Sequence, residues 1–229
     1  MGKRKSKRFK KLATISNNKK VESIEEAIKM VKKNCTTKFD ESIDVSFQVN
    51  LKRKKEEVNL RAIVNLPNGN GKKIRVAVLC EESKIQDAKD GGADLFGADN
   101  IIRDIIAGKI KFEKLVATPA MMPKVGKLGK ILGPRGLMPN PKLGTVTDNV
   151  KSVVKALKAG QIEIKNDTDG NIGASIGKKS FSDTKIKENY EAIIETILKE
   201  KPKGIKGDLI LSSFLTSTMG ISYKLKPTK

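Results

Sequence analysis

The hydrophobic pattern of this chain changes its period twice, and that change constrains the fold more than any other feature. Residues 43–49 alternate strictly between apolar and polar side chains, which predicts an antiparallel strand with one buried face. Residues 74–80 are apolar apart from one arginine, as in a strand covered on both faces within a parallel sheet. Alternation returns beyond Gly160, at residues 162–164 and 172–176. The two ends of the chain therefore share one style of sheet, and the middle has another.

This arrangement predicts two domains. The ends form a discontinuous α+β domain of residues 1–68 and 159–229, into which an α/β domain of residues 69–158 is inserted. The inserted domain is expected to be Rossmann-like, with three layers, because helical patterns follow its buried strand. A chain of 229 residues is long enough for two domains of modest size. Two chain crossings at one boundary also predict a hinge.

Periodicity and capping residues give the remaining elements. They are, in chain order, helix 22–33 with Ser23 as its N-cap, a charged loop at 52–57, strand 58–66, helices 84–90 and 100–107, strand 114–118, an irregular glycine-rich and proline-rich segment at 119–144, a helix from an Asp148 cap to Gly160, a turn at 169–171, helix 182–199 and two strands on either side of Met219.

The charge of the chain indicates its partner. Lys and Arg number 47 against 26 Asp and Glu, which leaves a net charge of +21 that counter-anions must offset. The basic residues are spread along the chain and Trp is absent, so RNA approaching from several sides fits better than a membrane surface. Residues 1–20 are rich in Lys and Arg and lack a signal-peptide core. We interpret them as an RNA-binding arm.

The residue types that are missing exclude most enzymatic chemistry. There is no His, and Cys35 and Cys80 are the only cysteines, so a zinc cage cannot be built. The two cysteines are expected to be buried, reduced thiols. The glycines and lysines of residues 173–180 miss the nucleotide-binding spacing by one residue. The sequence thus predicts no enzyme, no cofactor, no metal and no small-molecule substrate.

Two short segments could contact RNA, although each has a simpler interpretation. Small hydroxyls and a glycine at residues 216–220 would let an RNA backbone approach closely, but the residue types alone favour a plain hairpin turn. Phe39, beside Lys38, could stack on a base or fill the core, and the core is the more common place. With only 4% aromatic residues, recognition of shape, phosphate and ribose is expected rather than a base-stacking platform.

Four motifs carry a resemblance to a known family. They are Leu128-Gly129-Lys130-Ile131-Leu132-Gly133-Pro134-Arg135-Gly136-Leu137-Met138-Pro139-Asn140-Pro141-Lys142 with Gly144-Thr145-Val146, then Thr37-Lys38-Phe39-Asp40-Glu41-Ser42, Ile162-Glu163-Ile164-Lys165-Asn166-Asp167 and Thr216-Ser217-Thr218-Met219-Gly220. Together they resemble the bacterial type of the universal ribosomal protein L-one family, which forms the large-subunit stalk. The resemblance covers essentially the whole chain.

This resemblance implies a structural protein of the cytoplasmic ribosome that binds large-subunit rRNA directly. It further implies a mobile stalk near the exit site that assists release of deacylated tRNA, and repression of its own operon through mRNA binding. A stand-alone RNA-binding translational repressor is the alternative. The resemblance places the RNA surface on the discontinuous domain and outweighs the hairpin interpretation. The RNA-binding residues that it implies are Lys7, Arg8, Lys38, Phe39, Lys165, Asn166, Thr216, Ser217, Thr218, Met219 and Gly220.

Overall fold

A computed structural model gives the fold of the protein. It describes residues 6–16, 23–50, 60–201 and 207–226. The predicted loop at 52–57, the start of the predicted strand 58–66 and the basic residues before Ser6 lie outside these ranges.

The described residues form helices and strands in the following order. The helices are α1 Lys7–Ser16, α2 Ile24–Asn34, α3 Ile85–Gly91, α4 Asp99–Ile106, α5 Met122–Gly126, α6 Gly129–Leu132, α7 Val150–Ala159 and α8 Asp183–Lys199. The strands are β1 Ser42–Val49, β2 Arg61–Asn65, β3 Val76–Leu79, β4 Leu95–Gly97, β5 Lys114–Ala117, β6 Gln161–Lys165, β7 Asn171–Lys178, β8 Ile210–Ser217 and β9 Tyr223–Leu225.

The chain divides into two compact units. Unit 1 comprises residues 1–71 and 162–229, and unit 2 comprises residues 72–161. The mixed α/β content with a parallel sheet agrees with the sequence. The finer assignment of two functional domains, with boundaries after residues 68 and 158, stays a prediction, as does the hinge.

Unit 1 is built on an antiparallel sheet in the order β7-β1-β8-β9. Its inner face packs against α2 and α8. Val45, Phe47 and Leu215 are fully buried there, and the Phe47 ring stacks on Tyr190 with centroids 5.9 Å apart. Each such side chain contributes about 1.5–3 kcal/mol when buried. The predicted alternation of residues 43–49 is confirmed by this one-sided burial.

The opposite face of this sheet carries polar side chains. Asp44, Ser46 and Gln48 of β1 alternate with the buried residues and point away from the helices. The strand pair β2-β6 adds its apolar side chains to the same core as the inner face. The antiparallel sheet is therefore covered on one side only within the described residues.

Side-chain caps fix the starts of the helices. Ser23 accepts a hydrogen bond from the Glu26 N–H, as predicted for α2. The predicted Asp148 cap of α7 is wrong, because Asn149 accepts from the Ser152 N–H while the Asp148 carboxylate accepts from the Lys84 ammonium. Capping needs an oxygen aimed at the first turn, and the ion pair draws Asp148 elsewhere.

Unit 2 contains the parallel sheet β4-β3-β5. Every residue of β3 is buried. Val76 and Val78 pack with side chains of α3 and α7, whereas Ala77 and Leu79 pack with those of α4, α5 and α6. The apolar run is confirmed as a strand covered on both faces, and the unit has three layers.

The segment predicted to be irregular at 119–144 is more ordered than its composition suggests. It contains the short helices α5 and α6, and Val125, Leu128 and Leu132 are buried in the core of unit 2. Lys124 pairs with Asp99 at 2.8 Å. Apolar residues three and four apart create this helical face, although glycines and prolines surround them.

Candidate RNA-binding surface

A buried carboxylate joins two loops at one end of the antiparallel sheet. Glu41, just before β1, is 0% exposed. Its Oε1 accepts from the Thr37 hydroxyl at 2.7 Å and from the Thr37 N–H at 3.4 Å, and its Oε2 accepts from the Met219 N–H at 3.1 Å. One side chain thereby fixes the loop before β1 against the loop after β8.

Hydrogen bonds keep this carboxylate ionised. Burial by itself raises the pKa of Glu41, but the hydrogen bonds from the Thr37 and Ser217 side chains and from the Met219 and Thr37 N–H groups outweigh it. The net result is a pKa below the ordinary value of 4.5. A buried anion held by several donors is a rigid connector, because removing any partner leaves charge unsolvated.

Arg8 attaches α1 to the same loops. Its Nη1 donates to the Thr36 hydroxyl at 2.9 Å, and its Nη2 donates to the Met219 carbonyl at 2.6 Å. Lys7 lies beside it on the exposed surface. Residues 7–16 form a helix with Leu12 in the core, and the role of this segment as an RNA-binding arm stays a prediction. Apolar residues spaced among the lysines gave this helix its buried side.

Two large apolar side chains remain exposed around this centre. Phe39 is 52% exposed and Met219 is 50% exposed, so the simpler interpretation of Phe39 as a core residue is wrong. Lys38 is exposed as well. The carboxylate of Glu41 thus holds the backbone on both sides while Phe39 and Met219 face outward. We call Arg8, residues 36–41 and residues 216–220 the Glu41-centred surface.

The polar residues of the second loop serve the loop itself. Thr218 donates through its N–H to the Ser42 carbonyl at 3.0 Å, and its hydroxyl accepts from the Ser42 N–H at 3.0 Å. An added Cβ on Gly220 would lie 2.3 Å from the Ser217 hydroxyl, which bonds to Glu41. Glycine is needed here for contact with the protein's own interior. Thr216 is partly exposed at the end of β8.

The loop between β7 and α8 contains the residues whose spacing nearly matches a nucleotide-binding motif. Ser180 donates through its N–H at 3.1 Å and its hydroxyl at 2.8 Å to the Asp40 carboxylate. Lys179 donates through its ammonium to the Cys35 carbonyl at 2.8 Å. Donors that would meet a phosphate in a nucleotide site are thus occupied by the Asp40 carboxylate and the Cys35 carbonyl of the chain itself.

Lys165 and Asn166 are not brought to this surface. Asn166 accepts from the Leu60 N–H at 2.6 Å and bridges Ile172, whose partner on β1 is Phe47. Phe47 lies five residues from Ser42 along β1, which at about 3.4 Å per residue is a distance of about 17 Å. Lys165 is exposed at the end of β6. These two residues therefore lie toward the opposite end of the sheet.

Sequence reasoning missed the residue on which this surface depends. Glu41 stood inside a recognised motif but was not selected, since a carboxylate in so basic a chain does not suggest an RNA site. The useful signal is its position immediately before an alternating strand, where burial begins. Thr36 and Ser42, which bind Arg8 and Thr218, were also missed, because these hydrogen bonds join residues far apart in the sequence.

The described residues show no group of three metal-ligating side chains, and none of their helices has the length and hydropathy to span a bilayer. Burial raises the pKa of Cys35 and of Cys80. Both are buried, so the expected burial of the two cysteines is confirmed, while their reduced state stays a prediction.

Known proteins with similar sequences agree with the motifs. The sequence profile of the family described as "Ribosomal protein L1p/L10e family" matches residues 31–221. The protein named "Large ribosomal subunit protein uL1" from Pelagibacter ubique (strain HTCC1062) is 58% identical over 222 residues, which cover 96% of this chain and 97% of the relative. The protein of the same name from Neisseria meningitidis serogroup C (strain 053442) is 44% identical over 220 residues, covering 96% and 95%. The chain therefore belongs to the ribosomal protein L1p/L10e family, a family of structural proteins rather than enzymes.

Proposed function

We propose that this chain is a component of the large ribosomal subunit in the cytoplasm and binds large-subunit rRNA through the Glu41-centred surface. Its family supports the ribosomal role. The observation that carries the choice of surface is the double attachment of Glu41 to Thr37 and Met219. It makes one preformed surface from segments far apart in sequence, and preformed surfaces lose less entropy on binding.

The chemistry of this surface suits folded RNA. The exposed Phe39 and Met219 offer apolar area to riboses and bases, while Lys38 and the neighbouring Lys7 can neutralise phosphates. The Arg8 guanidinium has five N–H groups, so its two internal bonds leave donors for an RNA oxygen. Recognition then depends on the fit of several contacts at once, which selects an RNA by its shape.

In its finer role, the chain forms a mobile stalk near the exit site and assists the release of deacylated tRNA. It also represses its own operon by binding an mRNA that presents the same contacts as the rRNA. These parts rest on the motif resemblance. The net charge of +21 supports several RNA partners, because phosphate attraction does not depend on sequence.

Paired affinity measurements test the surface. We expect the double variant Phe39→Ala with Met219→Ala to bind deproteinised large-subunit rRNA at least tenfold more weakly, because loss of one base stacked on an aromatic ring such as Phe39 costs about 1–3 kcal/mol. Binding to bulk tRNA should change little. Leu198→Ala, which removes an exposed apolar side chain from α8, is the matched control. Equal losses for both RNAs, or no loss, would contradict this location.

The alternative function is a stand-alone translational repressor that uses the same surface for mRNA. Sedimentation distinguishes the repressor from a ribosomal component. A structural component should remain with large subunits through a high-salt wash, whereas a repressor should be recovered free of them. Free recovery would overturn the proposal of a ribosomal component.

A further inference from the structure

The uncovered face of the antiparallel sheet carries one row of residues that the Glu41-centred surface does not include. Phe214 of β8 pairs with Ser46 of β1 on one side and with Lys224 of β9 on the other. Ser46 in turn pairs with Gly173 of β7. The row Gly173, Ser46, Phe214, Lys224 therefore crosses all strands of this sheet, with neighbouring members about 4.8 Å apart.

Phe214 is an aromatic residue that the core does not use. It is partly exposed, and it packs into none of the hydrophobic clusters of the described residues. Its neighbours leave space on one side, because Ser46 is small and a Cβ added to Gly173 would meet nothing within 4 Å. On the other side Lys224 is exposed. An aromatic ring thus has open space beside it and a cation one strand away.

We infer that this row is a nucleotide subsite, in which an unpaired RNA base stacks on Phe214 and the adjoining phosphate lies at Lys224. The inference extends the proposed RNA-binding function and rests on it. Aromatic rings on open sheets bind bases of any sequence by stacking, and a nearby cation holds the backbone.

Two further observations favour RNA as the occupant. The row is continuous with the Glu41-centred surface, since Thr216 lies two residues along β8 from Phe214 and belongs to that surface. Asp44, opposite Thr216, is a carboxylate that repels phosphate but accepts from exocyclic base amines. It therefore directs the phosphate toward Lys224. A protein partner fits less well, because polar and small residues surround the single aromatic ring.

Three substitutions at Phe214 test this subsite in the full-length protein. Phe214→Ala should weaken binding to deproteinised large-subunit rRNA by about tenfold, within the range for loss of one stacked base. Phe214→Leu should lose nearly as much, since it keeps apolar volume without a ring, and Phe214→Tyr should bind as the unaltered protein does. Thermal unfolding of each variant checks that the sheet is intact. A Leu variant with full affinity would show that only apolar packing matters and would overturn the subsite.

The phosphate contact of Lys224 is tested separately. Lys224→Gln should lower the salt dependence of rRNA affinity by about one phosphate contact, whereas Lys199→Gln on α8, exposed on the helical side, should leave it unchanged. If the unaltered protein prefers large-subunit rRNA over bulk tRNA but the Phe214 and Lys224 variants match it, the subsite is wrong and the proposed function stands. If the unaltered protein has no such preference, the proposed function itself fails.

Discussion

Glu41 shows how a single acidic residue can organise a strongly basic surface. Its negative charge weakens attraction to phosphate slightly, but its hydrogen bonds to Thr37 and Met219 set the positions of Phe39 and of the loop after β8. Glu41→Gln replaces one acceptor oxygen with an NH₂ group that faces a donor. We expect about 1–3 kcal/mol less stability and a clear loss of rRNA affinity, with bulk tRNA binding unchanged or slightly stronger. Urea unfolding and competition binding measure both, and parallel losses for the two RNAs would contradict a positioning role.

The pH dependence of stability follows from the same residue. Because the pKa of Glu41 in the folded protein lies below its ordinary value of 4.5, its stabilising contribution is present above that value. It is lost as the pH falls through the lowered folded pKa. The Glu41→Gln variant should therefore lose less stability than the unaltered protein as the pH falls from 4.5, and identical acid profiles would contradict the assigned ionisation.

At the scale of elements, segments with a strong hydrophobic period were predicted correctly, and segments without a clear period were missed. Alternation at residues 43–49 gave β1 to within one residue, and the apolar run at 74–80 gave the buried β3. The sequence missed α1 because its lysines mask the apolar side, and it missed β4 because three residues carry no period. The Glu41-centred surface was only partly predictable, since its hydrogen bonds join residues far apart in the chain.

Asn189 of α8 supports an element that no periodicity could reveal, the segment that leads out of unit 1. Its amide oxygen accepts from the Asn68 N–H at 3.1 Å, and its NH₂ donates to the carbonyls of Gly69 and Ile176 at 2.8 and 2.7 Å. Asn189→Leu should destabilise the protein by about 2–4 kcal/mol, because these buried groups lose their partners.

The matched control for that substitution is Asn68→Ala. It removes only the exposed bond from the Asn68 amide to Glu188 and should cost under about 0.5 kcal/mol. Thermal unfolding and amide exchange at Asn68 distinguish the two variants. Slow exchange at Asn68 in the Asn189→Leu protein would show that something else holds this segment.

At the scale of the whole molecule, positive charge is present in both units, whereas the proposed specific contacts are confined to one. Residues 72–161 contain 17 basic and 9 acidic residues, a net of +8, and the remainder of the chain therefore has +13. Both parts can attract phosphate. The Glu41-centred surface, however, lies entirely in unit 1. Non-specific attraction is thus a property of the whole chain, while the proposed specific contacts belong to one unit.

Excision of unit 2 tests this division. A protein in which a short Gly/Ser linker joins Gly71 to Ile162 should fold, because the core of unit 1 draws only on residues outside the excised span. We expect it to keep its preference for large-subunit rRNA over bulk tRNA, since every contact that selects the RNA remains. Its affinity should still fall steeply with salt, by about three orders of magnitude between 50 and 200 mM for some seven phosphate contacts. The isolated 72–161 segment should bind both RNAs weakly and alike. If the shortened protein folds by circular dichroism yet binds the two RNAs equally, the specific contacts do not lie in unit 1.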